Sequence, residues 1–241
     1  MDLSNKKYIK TTFTKLVLFG CIIFSVAQIS SCSKAGNASP TGLNIEYEIL
    51  NLSPDMFPVS LFIDNKQVNS SPYIFGVRQG YFYVPSTDVP YQIRSVQYSG
   101  TTYLTQSNIL TSGAKYTLFI VGALADKSDT TIFTVDTAVA PTPGRGKIRF
   151  VDASPSATGG LDVLANDSLL FSGVAYQKIS KYIELPVGNY DLKIQPTGNP
   201  TVIKELTPVT IQDGRLYTFY AYGYTSRADT AAFNAAVITN K

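Results

Sequence analysis

One strand-like run occurs twice in this chain, and it limits what the chain can fold into more than any other feature. Leu216 to Tyr224 reads Leu-Tyr-Thr-Phe-Tyr-Ala-Tyr-Gly-Tyr, and Lys115 to Gly122 reads Lys-Tyr-Thr-Leu-Phe-Ile-Val-Gly. Each copy is entered through Gly-x-x-Tyr-Thr and carries large apolar or aromatic residues at both parities of a strand. A strand without a polar face is satisfied when it is covered on both sides. Each copy is therefore expected to be the buried central strand of its own β-domain.

The flanking sequence repeats in step with these runs. Ser53-Pro54 returns as Ser154-Pro155, Val84-Pro85 as Leu185-Pro186, and Gly113 as Gly214, all at an offset of 101. Tyr91 and Tyr190 match at 99, and Phe133 and Phe233 at 100. A tandem duplication accounts for this with drift confined to loops. Within each copy the strand signals are short and punctuated. Asp64-Asn65-Lys66 and Asn166-Asp167 sit between apolar runs as hairpin turns. Tyr190-Asp191-Leu192-Lys193-Ile194-Gln195 alternates with period two. No stretch of ten residues beyond the N-terminal region shows helical periodicity. The expected fold class is all-β: two tandem immunoglobulin-like or prealbumin-like antiparallel β-sandwiches, spanning 43–137 and 147–241. The segment 138–146, with Pro141, Pro143, Gly144 and Gly146, reads as the linker.

The N-terminus carries an address rather than a fold. Lys6 to Lys15 is a basic region, and Leu16 to Ile29 an apolar run too short for a stable membrane anchor. The run ends in Ile29-Ser30-Ser31-Cys32, which resembles the lipobox of bacterial lipoproteins. That resemblance implies a signal peptide over 1–31, acylation of Cys32, and a lipid anchor in a bacterial cell envelope, with the membrane as partner. Residues 32–42 are a small, polar stretch expected to act as a flexible tether.

Composition narrows the function classes. Residues 1–31 carry four of the 20 basic residues and one of the 17 acidic ones, so the remaining 16 and 16 balance. Nothing in that charge recommends a nucleic-acid partner. There is no His, which removes the commonest general base and neutral metal ligand, and both Cys lie at or before position 32. No catalytic residue, metal ligand or cofactor is assigned. Asp152, Asp162 and Asp167 supply oxygen but read as strand-end and turn aspartates rather than a Ca²⁺ loop. Ser154 to Gly160 is a small-residue turn, not a nucleophile elbow.

Two surface features remain. Tyr220, Tyr222 and Tyr224 share one strand face, a row that would stack sugars or peptides if exposed and would pack core or an inter-domain seam if covered. Thr130, Thr137, Ser168 and Thr230 each follow an Asp in triplets that resemble Bacteroidetes O-glycosylation acceptors.

Phe150-Val151-Asp152-Ala153-Ser154-Pro155, Leu161-Asp162-Val163, Leu170 to Val174 and Leu185 to Tyr190 together resemble the domain-of-unknown-function 4397 family of exported bacterial proteins. The likeness is close over residues 147–223 and looser in the first half, where Asn51 stands in the place of Asp152. It implies export, a β-sandwich and tandem copies, and it transfers no activity. Three function classes stay open. The leading one is a non-enzymatic, lipid-anchored envelope protein with a binding or structural role, its partner a glycan or another envelope protein. The second is a carbohydrate-binding surface lipoprotein using the Tyr faces. The third is a hydrolase working through carboxylates alone.

Overall fold

A computed structural model describes residues 44–86, 89–98 and 100–240. The segments expected to be a signal peptide and a tether, with Cys32 between them, lie outside the described residues. The described chain is all-β, with sixteen strands in four four-stranded sheets.

In the first sandwich, β1 (Asn44–Asn51), β4 (Phe82–Pro85), β7 (Lys115–Val121) and β8 (Thr130–Val135) form one sheet in the order β4-β1-β7-β8. β2 (Val59–Ile63), β3 (Lys66–Gln67), β5 (Tyr91–Ser95) and β6 (Thr102–Gln106) form the other in the order β3-β2-β5-β6. The second sandwich repeats both. β9 (Arg145–Ala153), β12 (Ile183–Pro186), β15 (Leu216–Tyr222) and β16 (Asn234–Thr239) lie in the order β12-β9-β15-β16. β10 (Leu161–Ala165), β11 (Ser168–Val174), β13 (Gly188–Pro196) and β14 (Lys204–Ile211) lie in the order β11-β10-β13-β14. The pairing is antiparallel except at one place in each copy: β1 runs parallel to β7, and β9 parallel to β15.

The two repeated runs are β7 and β15, central in their sheets as expected. Gly122 and Gly223 end them in left-handed backbone (φ 82 and 79), where a Cβ would lie 2.2 Å from the Ser128 carbonyl oxygen and 2.5 Å from that of Ala232. Only Gly fits both the angle and the approach. The hairpin turns hold too: Asp64-Asn65 and Asn166-Asp167 all have positive φ, the requirement of the tight turn that suits strand twist.

Three readings change. β6 has no counterpart in the sequence reading, because Thr102 to Gln106 is an edge strand with weak alternation. The last strand signal before the second repeated run, Thr207 to Ile211, is too short, because β14 begins at Lys204. Arg145 and Gly146 belong to β9 rather than to the linker. A Cβ on Gly146 would meet Ile211 at 2.7 Å, so that glycine serves close strand packing.

Each sandwich has its own core. Tyr47, Ile49, Leu61, Tyr91, Ile93, Tyr116 and Leu118 belong to the first, and Phe150, Val163, Leu192, Ile194, Tyr217 and Phe219 to the second. A third apolar cluster joins the two, with Leu50, Phe119, Val121 and Ile132 from the first sandwich against Val151, Ala153, Tyr220 and Ile238 from the second. The sheets that hold the repeated runs thus face each other. One parity of β7 and β15 points into a core and the other into this seam, which explains why neither run has a polar face.

Candidate functional site

The seam takes up the residues that sequence reading offered as a ligand face. Tyr220 is buried, with its ring 5.5 Å from Phe119 across the seam and 5.7 Å from Tyr222. Tyr222 is half-buried and meets Phe75 edge-on at 6.2 Å. Tyr224 is half-buried beyond the end of β15. Burial pushes the Tyr220, Tyr222 and Tyr224 hydroxyls above their ordinary pKa range, as desolvation disfavours a phenolate. The row packs the seam for most of its length.

A buried polar network closes one end of the seam. Asp136 accepts hydrogen bonds from Thr117 (2.6 Å), Thr134 (2.7 Å) and Tyr81 (2.8 Å), and pairs with the Arg149 guanidinium of the second sandwich. Arg149 also donates to Thr218 Oγ1 (2.9 Å) and to the Val135 carbonyl (2.8 Å), and lies over the Tyr182 ring. Asn240 donates to Tyr81 (2.7 Å) and accepts from Thr218 (2.9 Å). Asp136 is 1% exposed and Arg149 4%. Such a pair is held only if its remaining donors and acceptors are satisfied, and here they are. At a separate point Glu48 is fully buried and takes a two-pronged pair from Arg78, at 2.5 and 3.1 Å. Burial raises the Glu48 pKa, opposed by the hydrogen bonds from Arg78.

The three aspartates weighed as a cation site go to different places. Asp152, fully buried, accepts from the Ser154 N–H at 2.9 Å, and its other oxygen, Oδ2, has no hydrogen-bond partner. Burial pushes its carboxyl up to about 7, with the Ser154 N–H pulling the other way. Asp162 accepts from the Gly173 N–H (2.7 Å), Thr197 (2.9 Å) and Ser172 (3.1 Å), tying down the irregular β10–β11 pairing. Asp167 pairs with Lys193 at 2.7 Å on the surface. Of the glycosylation candidates, Thr137, Ser168 and Thr230 are exposed and Thr130 is half-buried at the start of β8. The Thr137 hydroxyl accepts from the Lys115 N–H at 2.8 Å.

Sequence reading missed an open concavity in the first sandwich. A cavity of about 400 Å³ enters the first sandwich between β6 and β8, within the usual size range of small-molecule sites. Its floor is aromatic and aliphatic, built of Tyr47, Tyr91 and Phe133 with Leu61, Ile93 and Leu118. The Tyr47 and Tyr91 rings stack at 5.8 Å, and Phe133 lies 6.2 Å from Tyr47. Its rim is Thr105, Gln106, Ser107, Asn108 and Thr131. No lining side chain is charged. Tyr47 OH donates to Gln106 Oε1 (3.4 Å), a contact that does not use the two N–H groups of that amide. Tyr91 OH donates to the Pro85 carbonyl at 2.7 Å.

With the duplicated sandwiches in place, comparison with known proteins decides the family. The chain matches the family described as "Domain of unknown function (DUF4397)" over residues 47–159 and again over 156–241. It belongs to the DUF4397 family. The two matches make it a tandem member, with the first running through β9 and the loop that follows. No curated protein matches the chain. Among solved structures it is similar to a leucine-rich repeat protein from Bacteroides thetaiotaomicron. That match has 14% identity and a TM-score of 0.18, covering 73% of this chain and 25% of the other.

Proposed function

We propose that this DUF4397 protein is a non-enzymatic, lipid-anchored component of a bacterial cell envelope whose role is binding. The observation that carries the binding role is the lining of the open cavity, which is aromatic below, neutral and hydrogen-bonding at the rim. The side chains able to move protons are elsewhere. Asp136 and Glu48 are closed off by Arg149 and Arg78, and Asp152 is buried at the end of β9. A hydrolase working through carboxylates needs a pair flanking an open cleft, and the cavity offers none. The seam supports a further part of the reading: two sandwiches held by an apolar face and a buried ion pair present surfaces at fixed spacing.

The anchor rests on Ile29-Ser30-Ser31-Cys32. Expression in a lipoprotein-processing host with a clickable palmitate analogue should label the protein and place it in the membrane fraction. Cys32→Ala should lose the label. Label that persists in that variant overturns the lipid anchor.

A further inference from the structure

The two sandwiches differ at the place where the cavity lies. In the first, β5 places Tyr91 opposite Ile63 of β2 and opposite Gln106 of β6. In the second, β13 places Leu192 opposite Ala165 of β10 and opposite Leu206 of β14. The ladder thus sets Tyr91 and Gln106 in the first sandwich where Leu192 and Leu206 stand in the second, while Tyr190, the sequence match of Tyr91 and like it bonded through its hydroxyl to a proline carbonyl, lies beyond an irregularity in the β13–β14 pairing. Beyond this point β6 stops, and Ser107 and Asn108 leave the sheet, whereas β14 continues to Ile211. Val209 on that continuation pairs with Tyr190 and packs against the second core. β14 also comes up against β16, closing that side of the second sandwich. The same skeleton is sealed with Leu and Val in one copy and left open, with amides and hydroxyls, in the other.

Polar side chains at positions that a sister domain fills with apolar ones are not needed to complete the fold. A half-buried aromatic ring, Phe133, with neutral amide and hydroxyl groups around it suits a ligand with an apolar face and uncharged hydroxyls. A sugar ring has both. An anionic or cationic ligand would find no countercharge on the lining. We infer that the cavity between β6 and β8 binds one or two residues of a neutral glycan, stacked on the half-buried Phe133 ring above the buried Tyr91 and hydrogen-bonded by Gln106, Asn108 and Thr131. This rests on the binding role proposed above and moves the carbohydrate site from the Tyr220 row of the second sandwich to the mouth of the first.

The test uses the full chain, purified in detergent, on an array of neutral, acidic and amino sugars and their oligomers, followed by calorimetric titration of any neutral oligosaccharide retained. Saturable binding of a neutral sugar is expected. The double substitution Gln106→Leu and Asn108→Val installs the second sandwich's closure in the first. It should abolish binding while leaving the melting temperature unchanged or higher. Phe133→Leu, a milder change on the floor, should weaken binding without unfolding the domain. Retention of acidic sugars only, retention of none, or sugar binding unchanged in both variants overturns the inference. Titration with a fatty acid is the remaining arm: saturable uptake of fatty acid with no sugar binding also overturns it, yet leaves the protein a binding lipoprotein. Palmitate labelling at Cys32 is unaffected by any of these outcomes.

Discussion

The two sandwiches share topology, turns and strand register, but their aromatic mass sits in different places. In the first, Tyr47, Tyr91 and Phe133 cluster beneath the open mouth. In the second, Phe150, Phe171 and Phe219 cluster, with centroids 5.4 to 6.3 Å apart and Phe150 shared between both pairs. The cross-strand pairs show how this arises. Leu118 faces Phe133 in the first sheet, and Phe219 faces Val237 in the second. Each pair has one ring and one aliphatic side chain, on opposite strands. A duplicated backbone thus tolerates a swap of large and small partners as long as each pair fills its share of the core. The register also corrects the repeat: Phe133 corresponds to Val237, not to Phe233, which lies before β16.

The largest expected effect separates core from seam. Phe219→Ala removes a fully buried ring from the second core and should cost about 3–5 kcal/mol. Phe119→Ala removes an equally buried ring, but from the seam, where its partner is Tyr220. Sequence reasoning expects the two losses to be nearly independent, as for separate domains. The seam predicts otherwise for Phe119. A double-mutant cycle of Phe119→Ala with Tyr220→Ala, read by thermal melts, should show a coupling of about 0.5–3 kcal/mol. Strict additivity would mean the sandwiches melt without feeling each other.

The ion pair gives the next contrast. Arg149→Met leaves Asp136 buried without its cation and should cost about 3–5 kcal/mol. Replacing both with apolar residues should recover most of that, because a buried pair gains little over well-packed hydrophobes. Chemical denaturation of the single and double variants measures the difference. A single variant as stable as the parent would show that the pair is open to water in solution.

A smaller effect compares Asn51 with Asp152, which occupy the same place in the two copies. Both receive the N–H two residues on, Ser53 at 3.1 Å and Ser154 at 2.9 Å. The Asn51 amide turns its N–H groups towards the carbonyls of Met56 and Tyr73, at 3.5 Å each. Oδ2 of Asp152 has nothing to accept. The Asp152 carboxyl titrates near 7 in the folded chain because burial disfavours its charge, against about 4 unfolded. The folded state therefore holds its proton more tightly. The contribution of Asp152 to stability is fully present below about pH 4, falls as pH rises towards 7, and is flat above, with a total loss on the order of a few kcal/mol. Asp152→Asn should remove that slope and stabilise the protein at pH 8, while Asn51→Asp should add a second slope of the same sign. Urea midpoints across pH 4–8 test both. An Asp152→Asn variant with an unchanged slope would place the titrating group elsewhere.

Much of the fold was legible because strand signals are local. The runs at β7 and β15, the hairpin turns at Asp64-Asn65 and Asn166-Asp167, and the repeat itself follow from period-two patterning and turn chemistry within a few residues of each other. The shorter, more polar β6 was not, since an edge strand has one ladder and little need for an apolar face. The sequence by itself determined that residues 216–222 must be covered on both sides, because no polar parity was available for water. It did not determine what the covers were. Alternation assigns Phe219 and Tyr220 to opposite faces, but only the meeting of two sheets makes one face a core and the other a seam. The same holds for Asp136 and Arg149, whose burial is tolerable only once strands from both sandwiches bring their donors and acceptors together. The cavity too is a tertiary product: Gln106 and Asn108 look like ordinary surface residues until β6 leaves the sheet over the aromatic floor.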